Sequence, residues 1–237
     1  MRQQPEQQAP PVQRLRIRYA KRGRLRFTSH RDFSRAFERA VFRARLPMAY
    51  SSGFNPHPRI SYAGAAPTGS ASEAEYLEIG LAQVVDLVEV RVALEEALPD
   101  GLDVVAIAES PGGSLSDLLE ASNWTLDVAA DPEAAAAAVE AFLAEESVSV
   151  ERMTKKGLRE FDCRGAVVSL TAGPRDGGAR LDLVLRHGVP SVRPDDVLTG
   201  LRSVAGLEAG QAPLLTRVAQ GPLGADGTVG DPLGGSS

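Results

Sequence analysis

The sequence is poor in the residues that build most catalytic and metal centres. Its 237 residues include three histidines, His30, His57 and His187, and one cysteine, Cys163, which excludes an internal disulfide framework and favours a reducing compartment. The histidines have no metal-ligand spacing, and neither a Gly-x-x-x-x-Gly-Lys-Ser/Thr loop nor a Gly-x-Gly-x-x-Gly fingerprint is present. We therefore expect no metal, cofactor or catalytic residue, and the sequence favours a non-enzymatic protein.

Long hydrophobic runs are missing as well. No apolar run approaches the roughly 18 residues of a membrane helix, and no hydrophobic stretch follows a basic N-terminus, so we expect a cytoplasmic protein without a membrane partner. Apolar residues still make up 43% of the chain, enough to bury a core. Residues 1–13 and 220–237 are rich in Gln, Pro or Gly and are predicted to be disordered tails.

Acidic residues are scarce in the first quarter of the chain. Residues 1–62 contain 14 Lys/Arg and 3 Asp/Glu, whereas residues 63–150 contain 1 and 18, and residues 151–237 contain 11 and 10. Like charges gathered in one segment can attract an oppositely charged partner. The alternative is that the basic and acidic segments fold together and compensate each other.

Hydrophobic periodicity predicts the fold of residues 14–110. Strands are expected at "LRIRYA", "RISYA", "EAEYLEIGLA" and "LDVVAIAE", with a further short extended piece at "RLRFTS". Helices are expected over residues 32–45, begun by Ser29, and over "VVDLVEVRVALEEAL". This βαββαβ order is that of a ferredoxin-like lobe. The Pro-Gly-Gly within residues 110–114 predicts a boundary after it.

A similar order returns in residues 115–219. Strands are predicted at "NWTLDVA", "ARLDLVLR" and "APLLTRVA", helices at "DPEAAAAAVEAFLAEE" and "RPDDVLTGLRSVA", and one hairpin at "SVSVERMTKKGLREFDCRGAVVSLT". Cys163 is predicted to be a buried residue of a strand in that hairpin, and His187 is expected to end a strand. The fold class is thus predicted as α+β, with two ferredoxin-like lobes in tandem.

One long stretch resembles a known family. "RYAKRGRLRFTSHRDFSRAFERAVFRARLPMAYSSGFNPHPRISYAGAAPTGSASEAEY", followed by "VERMTKKGLREFD", is similar to the radical SAM-associated proteins. The similarity covers about residues 14–217. In that family a domain of unassigned function is fused to, or separate from, a B12-binding-type radical S-adenosylmethionine (SAM) enzyme. The resemblance implies a radical SAM enzyme on a separate chain as partner, because a single cysteine cannot hold its iron–sulfur cluster.

Two basic features are candidates for binding RNA. Four arginines recur every fourth residue on one face of the first predicted helix, a pattern suited to a nucleic-acid backbone. The loop "SSGFNPHPR" contains two prolines that restrict its backbone, and it offers rings for stacking and polar groups for base edges. The alternatives are a solvated basic face and a loop that packs over the sheet. The candidates are Arg31, Arg35, Arg39, Arg43, Tyr50, Phe54, Asn55, His57 and Arg59.

Two further turns are weaker candidates. Lys155 and Lys156 lie at the predicted hairpin turn and would give a second phosphate contact, although a solvated turn is the simpler interpretation. Residues 64–69 could form an anion-binding nest. The glutamates after it would repel a phosphate, which favours a structural turn, and could pair with the arginine helix instead.

Three functions remain open from the sequence. The first is a non-catalytic accessory domain that binds RNA and works with a radical SAM enzyme. The second is a protein-interaction domain that docks a partner enzyme without RNA. The third is a metal-independent endoribonuclease, because tandem ferredoxin-like lobes with a basic helix and a histidine resemble the CRISPR repeat-processing nucleases in element order.

Overall fold

The structure is a computed structural model, which describes residues 7–154 and 157–234. These residues form two compact units, one that runs to Asp117 and one that spans Leu118–Pro232. The boundary lies just beyond the predicted break at residues 110–114. Of the predicted tails at residues 1–13 and 220–237, residues 1–6 and 235–237 lie outside the described residues. Other residues of these two segments make backbone contacts: the Val12 amide donates to the Leu81 carbonyl oxygen, and Leu223 forms an antiparallel bridge with Val229.

The first unit contains four strands and two helices in the order βαββαβ. They are β1 (Gln13–Lys21), α1 (His30–Arg43), β2 (Ile60–Ala63), β3 (Ala71–Leu81), α2 (Leu87–Ala97) and β4 (Leu102–Glu109). The strands are antiparallel and lie in the order β4-β1-β3-β2. Alternation along β1 places Leu15, Ile17 and Tyr19 in the core. There they meet the buried faces of α1 and α2.

The second unit repeats that order with an insertion. It contains β5 (Ala121–Val128), α3 (Pro132–Ala144), β6 (Ser149–Thr154), β7 (Gly157–Asp162), β8 (Val167–Arg175), β9 (Gly178–Arg186), α4 (Pro194–Ala205) and β10 (Leu214–Gly221). Four antiparallel strands lie in the order β10-β5-β9-β8, while β6 and β7 pair only with each other. Both α3 and α4 begin with proline in the first turn, which suits a helix start.

Most predicted elements are confirmed, but two are corrected. The piece at "RLRFTS" is not extended, since residues Gly23–Phe27 form a 3₁₀ helix. Its turns are closed by backbone bonds, and its leucine packs against the core. The prediction of a single long hairpin is also wrong, because β7 ends at Asp162 and the rest of the predicted second arm forms a separate strand, β8. The Asp162 carboxylate accepts from the Val148, Arg164 and Gly165 amides, which turns the chain there.

Candidate functional site

Helix α1 presents one face to the core and the opposite face to solvent. Ser29 caps its start, because the Ser29 Oγ accepts from the Asp32 amide at 3.2 Å. The predicted cap is thus confirmed, although the helix begins at His30. The core face carries Phe33, Phe37, Ala40 and Val41, all buried. Arg35, Arg39 and Phe42 lie on the exposed face, and 82% of Phe42 is exposed.

The end of α1 places an arginine in an unusual backbone conformation. Arg45 has φ of 53°, and it is the single non-glycine residue with positive φ in the described part of the chain. The Arg45 amide donates to the Phe42 carbonyl oxygen, and the Leu46 amide donates to that of Val41 at 3.2 Å. This is a Schellman ending, in which the left-handed position usually holds glycine. An arginine there costs backbone energy, which is typical of functional positions.

An open groove of about 1090 Å³ runs beside this end of the helix. Its floor is apolar and includes Val41, Leu46 and Met48. We call this depression the arginine groove. The polar and aromatic residues that line it are Arg35, Glu38, Arg39, Phe42, Arg43, Arg45 and Tyr50. An apolar floor within a basic wall can hold a flat ring together with an anion.

The arginines of this surface are mostly without partners. Among the described residues, the side chains of Arg35, Arg39 and Arg45 make no ion pair or hydrogen bond, and neither does that of Arg31. Arg43 differs, because its Nη1 donates to the Ala97 carbonyl oxygen at 3.3 Å. The surface therefore carries uncompensated positive charge, which attracts anions.

Pairing of the glutamates with the arginine helix, one of the alternatives open from the sequence, is not found for Glu73 and Glu78. Glu73 pairs with Arg22, and Glu78 pairs with Arg14 at 3.2 Å and Arg16 at 3.3 Å. These arginines lie in β1 and the turn that follows it. Strand β3 lies beside β1, so its acids reach the strand arginines first. Compensation between the basic and acidic segments therefore occurs within the sheet.

Glu78 remains charged within this cluster. Burial acts to raise its pKa, but hydrogen bonds from Ser110, Arg14 and Arg16 outweigh it and hold the pKa below its usual value. The Ser110 Oγ donates to Glu78 at 2.6 Å. Arg16 is almost fully buried, and its Nη2 also donates to the Gly112 carbonyl oxygen at 2.8 Å. The cluster is thus a structural feature of the sheet.

The loop "SSGFNPHPR" is closed at its base by two hydrogen bonds between Ser51 and His57. The Ser51 amide donates to the His57 carbonyl oxygen at 2.9 Å, and the His57 amide donates to the Ser51 Oγ at 3.0 Å. Gly53 has φ of 131°, which favours glycine. The tip exposes Asn55 and Phe54, and 68% of the phenylalanine is exposed. The tip therefore does not pack over the sheet.

A smaller pocket lies on the other side of this loop. We call it the loop pocket; its volume is about 250 Å³, and Pro58 lines both it and the arginine groove. His57 and Arg59 belong to the loop pocket, whereas Tyr50 belongs to the groove. The other residues that line the loop pocket are Pro11, Arg14, Ser51, Ile60, Ser61, Glu78 and Gly80. The predicted loop residues are thus divided between two depressions.

The structure brings together only some of the predicted site residues. Arg35, Arg39, Arg43 and Tyr50 share the groove, while Arg31 lies a turn before it and does not line it. Phe54 and Asn55 stand at the loop tip. The predicted phosphate contacts at Lys155 and Lys156 lie outside the described residues.

Two residues of the groove were missed from the sequence, Phe42 and Arg45. Phe42 follows Arg39 by three residues and Arg35 by seven, so helical spacing would have placed it on the arginine face. The left-handed position of Arg45 has no such signal, because its sequence offers no glycine at the helix end.

Cys163 and His187 are partly or fully buried side chains whose contacts fit a structural role. Cys163 follows β7 instead of lying within a strand, and it is buried against Gly200 of α4. Burial raises the pKa of its thiol to about 12, and the charges of Asp162 and Asp196 add to this. A thiol of this kind is unreactive near neutral pH.

His187 lies one residue beyond β9, which confirms that it ends a strand. Its Nδ1 is 2.7 Å from the Leu119 carbonyl oxygen, and its Nε2 is 2.9 Å from the Ser122 Oγ. Burial lowers the pKa of His187, which the Leu119 carbonyl partly opposes and the charge of Arg217 reinforces. The ring is thus a neutral hydrogen-bonding group of the second unit.

Comparison with known proteins assigns the chain to a family. Over residues 14–194 the sequence matches a family described as uncharacterized protein conserved in bacteria, DUF2344. The chain belongs to this family. No curated protein matches the chain. The matched region contains α1, the loop "SSGFNPHPR", the residues that line the arginine groove and, apart from Pro11, those that line the loop pocket.

The described residues contain neither a candidate metal cluster nor a helix that could span a membrane. Residues 7–154 and 157–234 contain no group of three or more His, Cys, Asp or Glu that could hold a metal ion. In the same part of the chain, no helix has both the length and the apolar character needed to cross a membrane.

Proposed function

We propose that this chain is a non-catalytic protein that binds single-stranded RNA in the arginine groove. The observation that carries the proposal is the set of unpaired arginines beside exposed aromatic rings. Arg35, Arg39 and Arg45 have no protein partner in the described part of the chain, while Phe42 and Tyr50 line the same groove. Cationic side chains that follow a backbone, with rings on which bases stack, are the usual means of binding single strands.

The alternation of these groups supports a strand over a duplex. Arg35 and Arg39 lie one turn apart on α1, and Phe42 follows them in the last turn of the helix. An aromatic ring can stack on an unpaired base but not on one inside a duplex. The open groove also leaves room for flanking nucleotides.

We further propose the partner and the finer fold. The resemblance of residues 14–217 to radical SAM-associated proteins supports a radical SAM enzyme on a separate chain, which would use the RNA held here. The strand orders β4-β1-β3-β2 and β10-β5-β9-β8 support two ferredoxin-like units, the second with the inserted β6–β7 hairpin.

A salt titration of RNA affinity tests the proposal. Anisotropy of a labelled single-stranded RNA is measured from roughly 50 to 200 mM salt, with circular dichroism to confirm that each variant is folded. Arg39→Ala should weaken binding and lower the magnitude of the slope of log K against log salt by about 0.7. The matched control is Arg24→Ala, which removes an exposed arginine outside the groove and should leave the slope nearly unchanged.

Other results would favour the other functions. If the wild-type protein shows no RNA binding at roughly 50 mM salt, the surface is not an RNA site, and docking of a partner enzyme becomes the better explanation. If RNA is recovered cleaved, and His57→Ala or His30→Ala prevents this, the protein is a nuclease. RNA that stays intact with the wild-type protein and with these variants agrees with the proposal.

A further inference from the structure

The loop pocket is rich in hydrogen-bond donors that lack partners. The Arg59 main chain is fixed, since its amide donates to the Ala49 carbonyl oxygen and its own carbonyl oxygen accepts from the Gly80 amide, both at 2.8 Å. Its Nε donates to the Tyr50 carbonyl oxygen at 3.1 Å. The two terminal nitrogens of this guanidinium have no partner among the described residues. Arg59 is thus held in place with two nitrogens available to a ligand.

Two neighbours of Arg59 add to this donor set. The two hydrogen bonds that join the His57 main chain to the Ser51 amide and hydroxyl fix the position of the histidine at the base of the loop. The His57 ring and the Ser61 hydroxyl are exposed, and neither has a hydrogen-bond partner in the part of the chain that the structure describes. Both face a space of about 250 Å³.

The one acid in the loop pocket is already neutralised. Glu78 accepts hydrogen bonds from Arg14, Arg16 and Ser110. Two arginines therefore balance its single charge, and most of its acceptor capacity is used. The side chains of Arg59, His57 and Ser61 can each still donate a hydrogen bond, which fits an oxyanion.

We propose that the loop pocket binds the terminal phosphate of an RNA strand whose body lies in the arginine groove. A terminal phosphate has three free oxygens and a charge of about −1.5 to −2 near neutral pH, more than an internal diester has. The pocket is about a quarter of the size of the groove, and Pro58 borders both. This inference rests on the proposed function, because the strand in the groove brings its end to the pocket.

Three RNAs of one sequence test the proposal, with a 5′-phosphate, a 3′-phosphate or hydroxyls at both ends. One phosphorylated RNA should bind about tenfold more tightly than the hydroxyl RNA, as one charge-assisted contact provides. The end that gives the gain defines the direction of the strand. His57→Ala and Ser61→Ala should each bring the ratio of the affinities for the phosphorylated and hydroxyl RNAs close to one. Thr68→Ala, which removes an exposed hydroxyl outside the pocket, should keep it.

The outcomes separate this inference from the proposed function. Equal binding of all three RNAs overturns the phosphate site and leaves RNA binding in place. Binding of none of them overturns the proposed function, and the pocket is then judged by the NMR signals of the His57 ring with uridine 5′-monophosphate and with uridine. Shifts with the monophosphate alone support a phosphate site for free nucleotides, whereas no shift with either probe overturns it.

Discussion

Strand β1 and helix α1 are separated only by the short 3₁₀ helix Gly23–Phe27, and both carry a row of arginines, yet the two rows have different surroundings. In β1, Arg14 and Arg16 pair with Glu78 of the neighbouring strand, and Arg16 is buried. On α1, Arg35 and Arg39 are exposed and have no partner among the described residues. The same residue type therefore stabilises the sheet in one element and remains available for binding in the other.

The difference arises from the environment of each backbone. A strand lies between neighbours, so its outward side chains meet those of the adjacent strand at a fixed register. An outer helix face has no such neighbour. Charge in the basic segment is thus divided between arginines that are paired within the sheet and arginines that have no partner among the described residues, which neither the net charge of −5 nor the segment totals reveal.

The largest expected effect is on stability, from Arg16→Ala. Loss of this buried guanidinium removes bonds to Glu78 and to the carbonyl oxygens of Gly112 and Gly113, and it should lower the free energy of unfolding by about 3 to 5 kcal/mol. Urea denaturation measures this change. The control Arg35→Ala should stay within about 0.5 kcal/mol of the wild type. Similar losses in both variants would remove the distinction between the two rows.

The next effect is on binding, from Phe42→Ala. Removal of an exposed ring should weaken RNA binding by roughly 1 to 3 kcal/mol while leaving the salt slope nearly unchanged, because stacking releases no counterions. Unfolding should be little affected, since 82% of Phe42 is exposed. Anisotropy at several salt concentrations separates the contribution of stacking to the affinity from that of phosphate contacts. A change of slope as large as that of Arg39→Ala would contradict a stacking role.

Arg45→Gly is expected to have two smaller effects, a gain in stability and a loss of RNA affinity. Glycine relieves the positive φ of 53° and should raise the free energy of unfolding by up to about 1 kcal/mol, while the loss of charge weakens RNA binding. Thermal unfolding and anisotropy are measured on the same preparation. Arg24→Gly, in an element without this strain, is the control and should not stabilise the protein. Unchanged RNA affinity would place Arg45 outside the site.

The smallest expected effect is a pH dependence of the stability that Glu78 provides by pairing with the arginines of β1. The folded-state pKa of Glu78 lies below its unfolded value of about 4.3, so its contribution to stability is present above that pH and is lost as the pH falls through the folded pKa. The difference in melting temperature between the wild type and Glu78→Gln should therefore shrink below about pH 4. A constant difference would show that the charge of Glu78 does not contribute.

Much of the fold could be predicted from local signals. Ser29 was identified as a helix cap, and the spacing of Phe33 and Phe37 gave the buried face of α1. The 3₁₀ helix at Gly23–Phe27 was not predicted, because its alternating residues fit a strand equally well. In the second unit, β7 and β8 are separated where the Asp162 carboxylate accepts from the nearby Arg164 and Gly165 amides and from the Val148 amide, 14 positions away.

The candidate site was predictable only in part. Helical spacing found the arginine face of α1 and would also have found Phe42. It could not divide the loop residues, since Tyr50 lines the arginine groove and His57 lines the loop pocket only after the loop is closed by the Ser51–His57 bonds. It also could not find Arg45, whose position depends on how the helix ends.

The sequence by itself determined the order of the elements, the caps of the helices and the amphipathic faces, because these depend on residues within a few positions of one another. Only the tertiary structure decided which arginines are neutralised. Arg16 and Glu78 are 62 positions apart and meet through the register of β1 with β3, in which they are directly opposite. A pairing of that kind depends on how strands align, and local sequence does not specify it.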